Sequence, residues 1–155
     1  MTDDEKSSRT SFEDMARRLE IAMTQADEPL ANGVLNELVG SNYMDNLKQP
    51  RTAIIEFYTT SCPFCHQLAP LLEELAGEYT QKVYFGKVNI DLIEEAAERF
   101  NVAGVPSVIA FKKGNPVARI EGLRGIDEID DWVDSIHKGL RPMNFEPGPI
   151  TDFKL

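Results

Sequence analysis

Cysteine is scarce, with two among 155 residues, at positions 62 and 65. A secreted disulfide framework would carry more of them, more widely spaced, so that class is set aside. Basic residues are outnumbered, 16 against 26 acidic, for a formal net charge of -10. A face that holds phosphates should be basic, so nucleic acid is not an expected partner. No uninterrupted apolar run reaches the roughly 18 residues that a membrane span needs, and no membrane partner is expected. The start, Met1-Thr2-Asp3-Asp4-Glu5-Lys6, lacks the basic-then-apolar order of a secretory signal, so a cytoplasmic location is expected. Internal repeats and low-complexity tracts are also absent.

What is present suits one globular domain with some length to spare: 42% hydrophobic and 27% charged residues. Residues 1–32 read as an N-terminal extension. Its first eleven residues are polar, and a helical stripe follows over 12–26, with Phe12, Met15, Leu19, Ala22, Met23 and Ala26 at steps of three and four. That stripe either packs on the domain's own surface or docks a partner or a second copy. Residues 1–50 hold ten acidic and five basic residues, about half of the net charge. Residues 33–140 alternate between the two kinds of element. Short strand 34–39, short helix 42–48 and strand 53–58 come first. The long helix behind the cysteines, strand 83–90 and short helix 93–100 follow. Gly104-Val105-Pro106 reads as a turn into strand 107–111, which a hairpin joins to 116–121, and a last helix spans 126–138. Helices between strands imply parallel pairing, and the closing hairpin adds an antiparallel pair, giving an α/β fold: a mixed central sheet with helices on both faces. Residues 141–155 read as a C-terminal tail.

The chemistry centres on Cys62-Pro63-Phe64-Cys65. A thiol attacks as thiolate, and a free cysteine, with pKa about 8.5, is mostly protonated at neutral pH. Cys62 falls where a strand and loop give way to a helix, and the free N–H groups there stabilise negative charge. Pro63 suits the first helical position, where no N–H is needed. Cys65, three residues on, lies on the same face within reach. Cys62 is therefore the expected exposed attacker on a partner's disulfide and Cys65 the deeper thiol that resolves the mixed disulfide. The bland alternatives are an idle buried pair or a zinc site. Zinc would need four ligands, and only His66, His137 and carboxylates are left to supply them. No metal and no bound cofactor are expected.

Over residues 33–140 the sequence resembles the thioredoxin family. The resemblance rests on Ile55-Glu56-Phe57-Tyr58 leading into the cysteine pair, Ala69-Pro70 behind it, Lys87-Val88-Asn89-Ile90-Asp91, Gly104-Val105-Pro106-Ser107, and Phe111-Lys112-Lys113-Gly114 with Gly122. It implies a thioredoxin fold and a thiol–disulfide oxidoreductase that reduces disulfide-containing client proteins, with an unidentified reductase or glutathione as electron donor. Cys62 would be the nucleophile and Cys65 the resolving thiol. Pro106 would be cis, facing the pair, and would leave the backbone of Val105 free to pair with an extended substrate. The bland reading of Pro106 is an ordinary loop proline. Tyr58 and Ser61 would lie on the substrate side.

Glu56 is a carboxylate in an apolar strand, six residues before Cys62. Burial should raise its pKa, letting it accept or return the proton of Cys65. Thioredoxins usually carry aspartate at the matching place and protein disulfide isomerases glutamate. Lys87 matches a family lysine that can pair with this carboxylate, and simple pairing is the bland alternative. Other departures bear on the redox potential. Pro63-Phe64 is similar to glutaredoxins rather than to the usual Gly-Pro. Ser61 and Tyr58 stand where tryptophans are common, and His66 where lysine is frequent. A somewhat more oxidising couple is expected, with a glutaredoxin-like or isomerase-like oxidant as the competing activity. A non-catalytic adaptor is the competing class. For His66 a solvated helix residue is the bland reading.

Overall fold

The computed structural model describes residues 15–16, 31–40, 43–141 and 145–152. Contacts divide the chain into two compact units, Met1–Leu30 and Ala31–Leu155. Of the expected helix at 12–26, only Met15 and Ala16 are described, both helical. The rest of it, and any docking by its stripe, lie outside the described residues.

The second unit runs β1 (Leu35–Glu37), α1 (Tyr43–Leu47), β2 (Thr52–Tyr58), α2 (Pro63–Glu78), β3 (Tyr84–Asn89), α3 (Glu94–Arg99), β4 (Gly104–Val105), β5 (Ser107–Lys112), β6 (Asn115–Glu121), α4 (Ile126–His137) and β7 (Thr151–Asp152). Five strands form one sheet in the order β1-β3-β2-β5-β6. The β1–β3 and β2–β3 pairs are parallel, and β2–β5 and β5–β6 antiparallel. This is the mixed sheet that the sequence implies. Strand β2 sits at its centre and is buried from Thr52 to Phe57, because both sheet faces are covered. Ala53, Ile55 and Phe57 face a core shared with Tyr43 and Leu47 of α1 and Ala96 and Ala97 of α3. Ile54 faces the opposite core with Leu68, Leu72 and Leu75 of α2 and Trp132, Val133 and Ile136 of α4. Period-two alternation on the strand thus feeds two helical layers.

The β5–β6 connection is a two-residue turn. Lys113 and Gly114 both have positive φ, the condition of a type I′ turn, whose twist matches the strands it joins. Pro116 lies on β6, at the sheet's edge, where a missing N–H costs no ladder bond.

The tail departs from expectation. Thr151–Asp152 pair antiparallel with Gly104–Val105, which is itself a strand and not only a turn: Gly104 opposes Asp152, and Val105 opposes Thr151. Two backbone hydrogen bonds lead the segment there. Gly148 N–H donates to Glu121 O at 2.8 Å and Leu123 N–H to Pro149 O at 2.9 Å. Gly122, at φ +87°, and Gly148 permit this close approach. A Cβ on the first would collide with the Gly148 carbonyl, and one on the second with that of Leu123.

Candidate active site

Cys62 and Cys65 are joined as a disulfide, with their Cα atoms 5.2 Å apart. Cys62 is the N-cap of α2 in extended conformation, and Pro63 starts the helix. Its sulfur accepts a hydrogen bond from the Cys65 N–H at 3.1 Å. One of the orphan donors at a helix start is therefore aimed at Cys62 Sγ, where negative charge develops when the pair opens. The loop before it is tied down from both ends. Cys62 N–H donates to Thr59 O, and His66 Nε2–H donates to Thr60 O at 2.7 Å, which sets the tautomer of an exposed imidazole. Ser61 and Pro63 are exposed, while Phe64 is half-buried and packs on the core that holds both cysteines.

One expectation is corrected here. Cys62 is not the exposed member of the pair, because its exposure is 0% against 2% for Cys65. Its side chain turns inward, to within 3.6 Å of the Val105 carbonyl oxygen, and shares an apolar cluster with Val105. The Val105–Pro106 bond is cis. Ser107 Oγ–H closes the loop onto Gly104 O at 2.8 Å, and Gly122 N–H donates to Pro106 O at 2.8 Å. A second correction follows: the backbone of Val105 is not free, since Thr151 already pairs with it. The segment that does so has no hydrophobic period, so nothing in its own sequence announces the pairing.

Glu56 is buried, at 1% exposure, and its Oε2 has no hydrogen-bond partner. Burial pushes its pKa up to about 8; the Lys87 charge opposes the rise and the Glu37 charge adds to it. The register explains these influences. Glu37 on β1 opposes Lys87 on β3, Lys87 opposes Glu56 on β2, and Glu56 opposes Val108 on β5. Two carboxylates thus flank one ammonium along a single rung, on the face that Ile54 and Val108 share with α2 and α4. No salt bridge within 4.0 Å joins Lys87 to Glu56 among the described residues. Lys87 Nζ instead lies 5.3 Å from the centre of the Tyr58 ring, and Tyr58 donates its hydroxyl hydrogen to Glu37 Oε1. Burial and that carboxylate both raise the Tyr58 pKa. Tyr58 therefore closes the charged rung. Glu37 is the residue that sequence reasoning missed. It sits in a three-residue strand, and only cross-strand register brings it beside Lys87.

Among the described residues no group of three or more His, Cys, Asp and Glu side chains could hold a metal ion. None of their helices is long and apolar enough to cross a membrane.

The thioredoxin family model matches residues 34–135. Thioredoxin of Staphylococcus saprophyticus is 33% identical over 98 residues, 63% of this chain and 93% of that protein. Thioredoxin of Mycobacterium tuberculosis is 34% identical over 97 residues, 60% of this chain and 84% of that one. The bifunctional thioredoxin reductase/thioredoxin of Mycobacterium leprae is 34% identical over 105 residues, 67% of this chain and 22% of its own length. Matched from β1 into α4 around a cysteine pair that closes on itself, this chain belongs to the thioredoxin family and is a protein-disulfide oxidoreductase.

Proposed function

We propose that Cys62 is the attacking thiol, Cys65 the resolving thiol and Glu56 the group that handles the proton of Cys65. The observation that carries the assignment is the Cys65 N–H held on Cys62 Sγ at the start of α2, which favours thiolate at Cys62. Cys62 thiolate attacks a client disulfide, forming a mixed disulfide and releasing one client sulfur as thiolate. Cys65 gives its proton to Glu56 in the ionised fraction of that carboxyl, which grows as the pH rises toward about 8, and then attacks Cys62 Sγ. The Cys62–Cys65 disulfide forms and the second client thiol leaves, so two electrons have passed to the client. Tyr58 and Lys87 hold the rung that tunes Glu56. Ser61, Val105 and Pro106 border the client's path, while Pro63, Phe64 and His66 shape the start of the helix.

The electron donor returns two electrons to the disulfide. A separate reductase is favoured over glutathione, since one relative carries thioredoxin reductase and thioredoxin in a single chain. A reducing compartment such as the cytoplasm fits a chain whose only two cysteines are both in this pair.

Dithiothreitol-driven reduction of insulin tests the reading. The native chain should turn over and Cys62→Ser should not, while Cys65→Ser should accumulate a mixed disulfide with its client. Equal turnover in the native chain and Cys62→Ser would remove Cys62 from the mechanism, and an adaptor would show no turnover at all. The second reading, an oxidant or isomerase, is favoured by Pro63-Phe64 between the cysteines. Equilibration with glutathione separates the two: about -270 mV marks a reductant and about -180 mV an oxidant or isomerase.

A further inference from the structure

We propose that residues Gly148–Asp152 are a built-in competitor for the client-docking edge beside Cys62, and so decide which disulfides the site accepts. The proposal rests on the reading of that site as the place where client disulfides are reduced.

A client sulfur has to reach Cys62 Sγ. The Val105 carbonyl oxygen approaches that sulfur to 3.6 Å. Strand β4, to which Val105 belongs, stands outside the five-stranded sheet. An extended polypeptide gains affinity by adding itself to such an edge. In this chain the edge is already taken. Thr151 occupies the register opposite Val105, and Asp152 that opposite Gly104. Both Cys62 and Val105 are at 0% exposure, so a client cannot reach the sulfur until something moves.

The segment is built to leave. Its pairing with β4 is two residues long, and its approach hangs on the two bonds from Gly148 and to Pro149. Upstream, Phe145 lies under the Arg124 guanidinium at 5.3 Å, an anchor that can hold while the end peels away. Pro147 and Pro149 flank Gly148 and lack the N–H groups that a longer ladder would use. Its chemistry is that of an extended client: Ile150 is set so close to Gly104 that a Cβ there would meet Ile150 Cδ1 at 2.6 Å, and Thr151 lies in register with Val105, the residue whose carbonyl approaches Cys62 Sγ. A favoured client is therefore an extended segment carrying an apolar residue that takes the place of Ile150, bound well enough to displace the chain's own strand.

Two full-length variants test this. Gly148→Ala sets a Cβ against the Leu123 carbonyl and lifts the segment. Thr151→Pro disrupts the ladder at its far end. Two rates are read: iodoacetamide alkylation of Cys62 in the reduced protein, and dithiothreitol-driven reduction of insulin. Both should rise about fivefold or more in each variant, as the open fraction grows from a minority to most molecules. An excess of a synthetic peptide of sequence 145–152 should return the variants to the native rates. Unchanged rates in a folded variant, slower insulin reduction, or no effect of the peptide would each overturn the proposal. Should Gly148→Ala fail to fold by circular dichroism, Thr151→Pro carries the test. If no chain, native included, reduces insulin, the oxidoreductase reading has failed, and the alkylation rates still decide whether the segment covers Cys62.

Discussion

Glu56 holds its proton at neutral pH because an apolar core solvates a carboxylate poorly and Lys87 is too far to form a salt bridge with it. Its value of about 8 in the folded chain lies above the ordinary 4.5, so folding binds this proton. The stability it contributes is complete below pH 4.5 and is lost as the pH rises toward about 8. Glu56→Gln, neutral throughout, should match the native melting temperature near pH 4.5 and exceed it increasingly up to pH 8. The difference should grow by about 1.4 kcal/mol for each pH unit at most. A constant difference across that range would show that the carboxyl is not shifted. The same substitution should slow turnover and flatten its rise with pH, which unchanged insulin reduction across neutral pH would refute. Much of this residue was legible in advance, since a single carboxylate in an apolar strand just before a cysteine pair is a local pattern. The lack of a salt-bridge partner was not, because it depends on where Lys87 points.

At the scale of the element, β2 and α2 bring the site together, and the rung across β1, β3 and β2 sets the charges around Glu56. Removing either charged neighbour of Glu56 should move its titration in opposite directions. Glu37→Gln removes a repelling charge and should lower the midpoint, whereas Lys87→Gln removes an attracting one and should raise it. Carbon-13 NMR of the Glu56 carboxyl reads both, and coincident midpoints would mean that the rung is electrostatically idle. Packing of α2 on the sheet is a separate matter from its chemistry. Leu72 is fully buried among Leu68, Leu75 and Trp132. Leu72→Ala should cost about 2–5 kcal/mol in urea unfolding while leaving the alkylation rate of Cys62 unchanged in the folded protein. A parallel loss of stability and reactivity would mean that the head of α2 depends on its core. These elements were readable from the sequence, because their apolar residues repeat at two or at three and four.

Over the whole molecule, the charge of -10 acts on clients from a distance, before any contact at the cysteine pair. A net negative surface attracts basic proteins from a distance, and salt screens that attraction over about 8 Å at physiological strength. Reduction of a basic protein disulfide should therefore slow markedly between 20 and 500 mM salt, roughly tenfold in the encounter-limited regime. An acidic client should be unaffected or faster. Equal salt dependence for the two would leave contacts at the site as the sole basis of choice.

The sequence by itself determined the order of the five main-sheet strands and the four helices after position 33, the place of Cys62 at a helix start and the acidity of the chain. Each is a property of neighbouring residues or of the sum of charges. Tertiary structure alone decided three things: that Cys62 is turned inward against Val105, that Glu37 joins Lys87 and Glu56 on one rung, and that residues 151–152 cover the Val105 edge. Each depends on segments distant along the chain meeting in a particular register. A stretch such as Pro147-Gly148-Pro149 carries no period from which that meeting could be read.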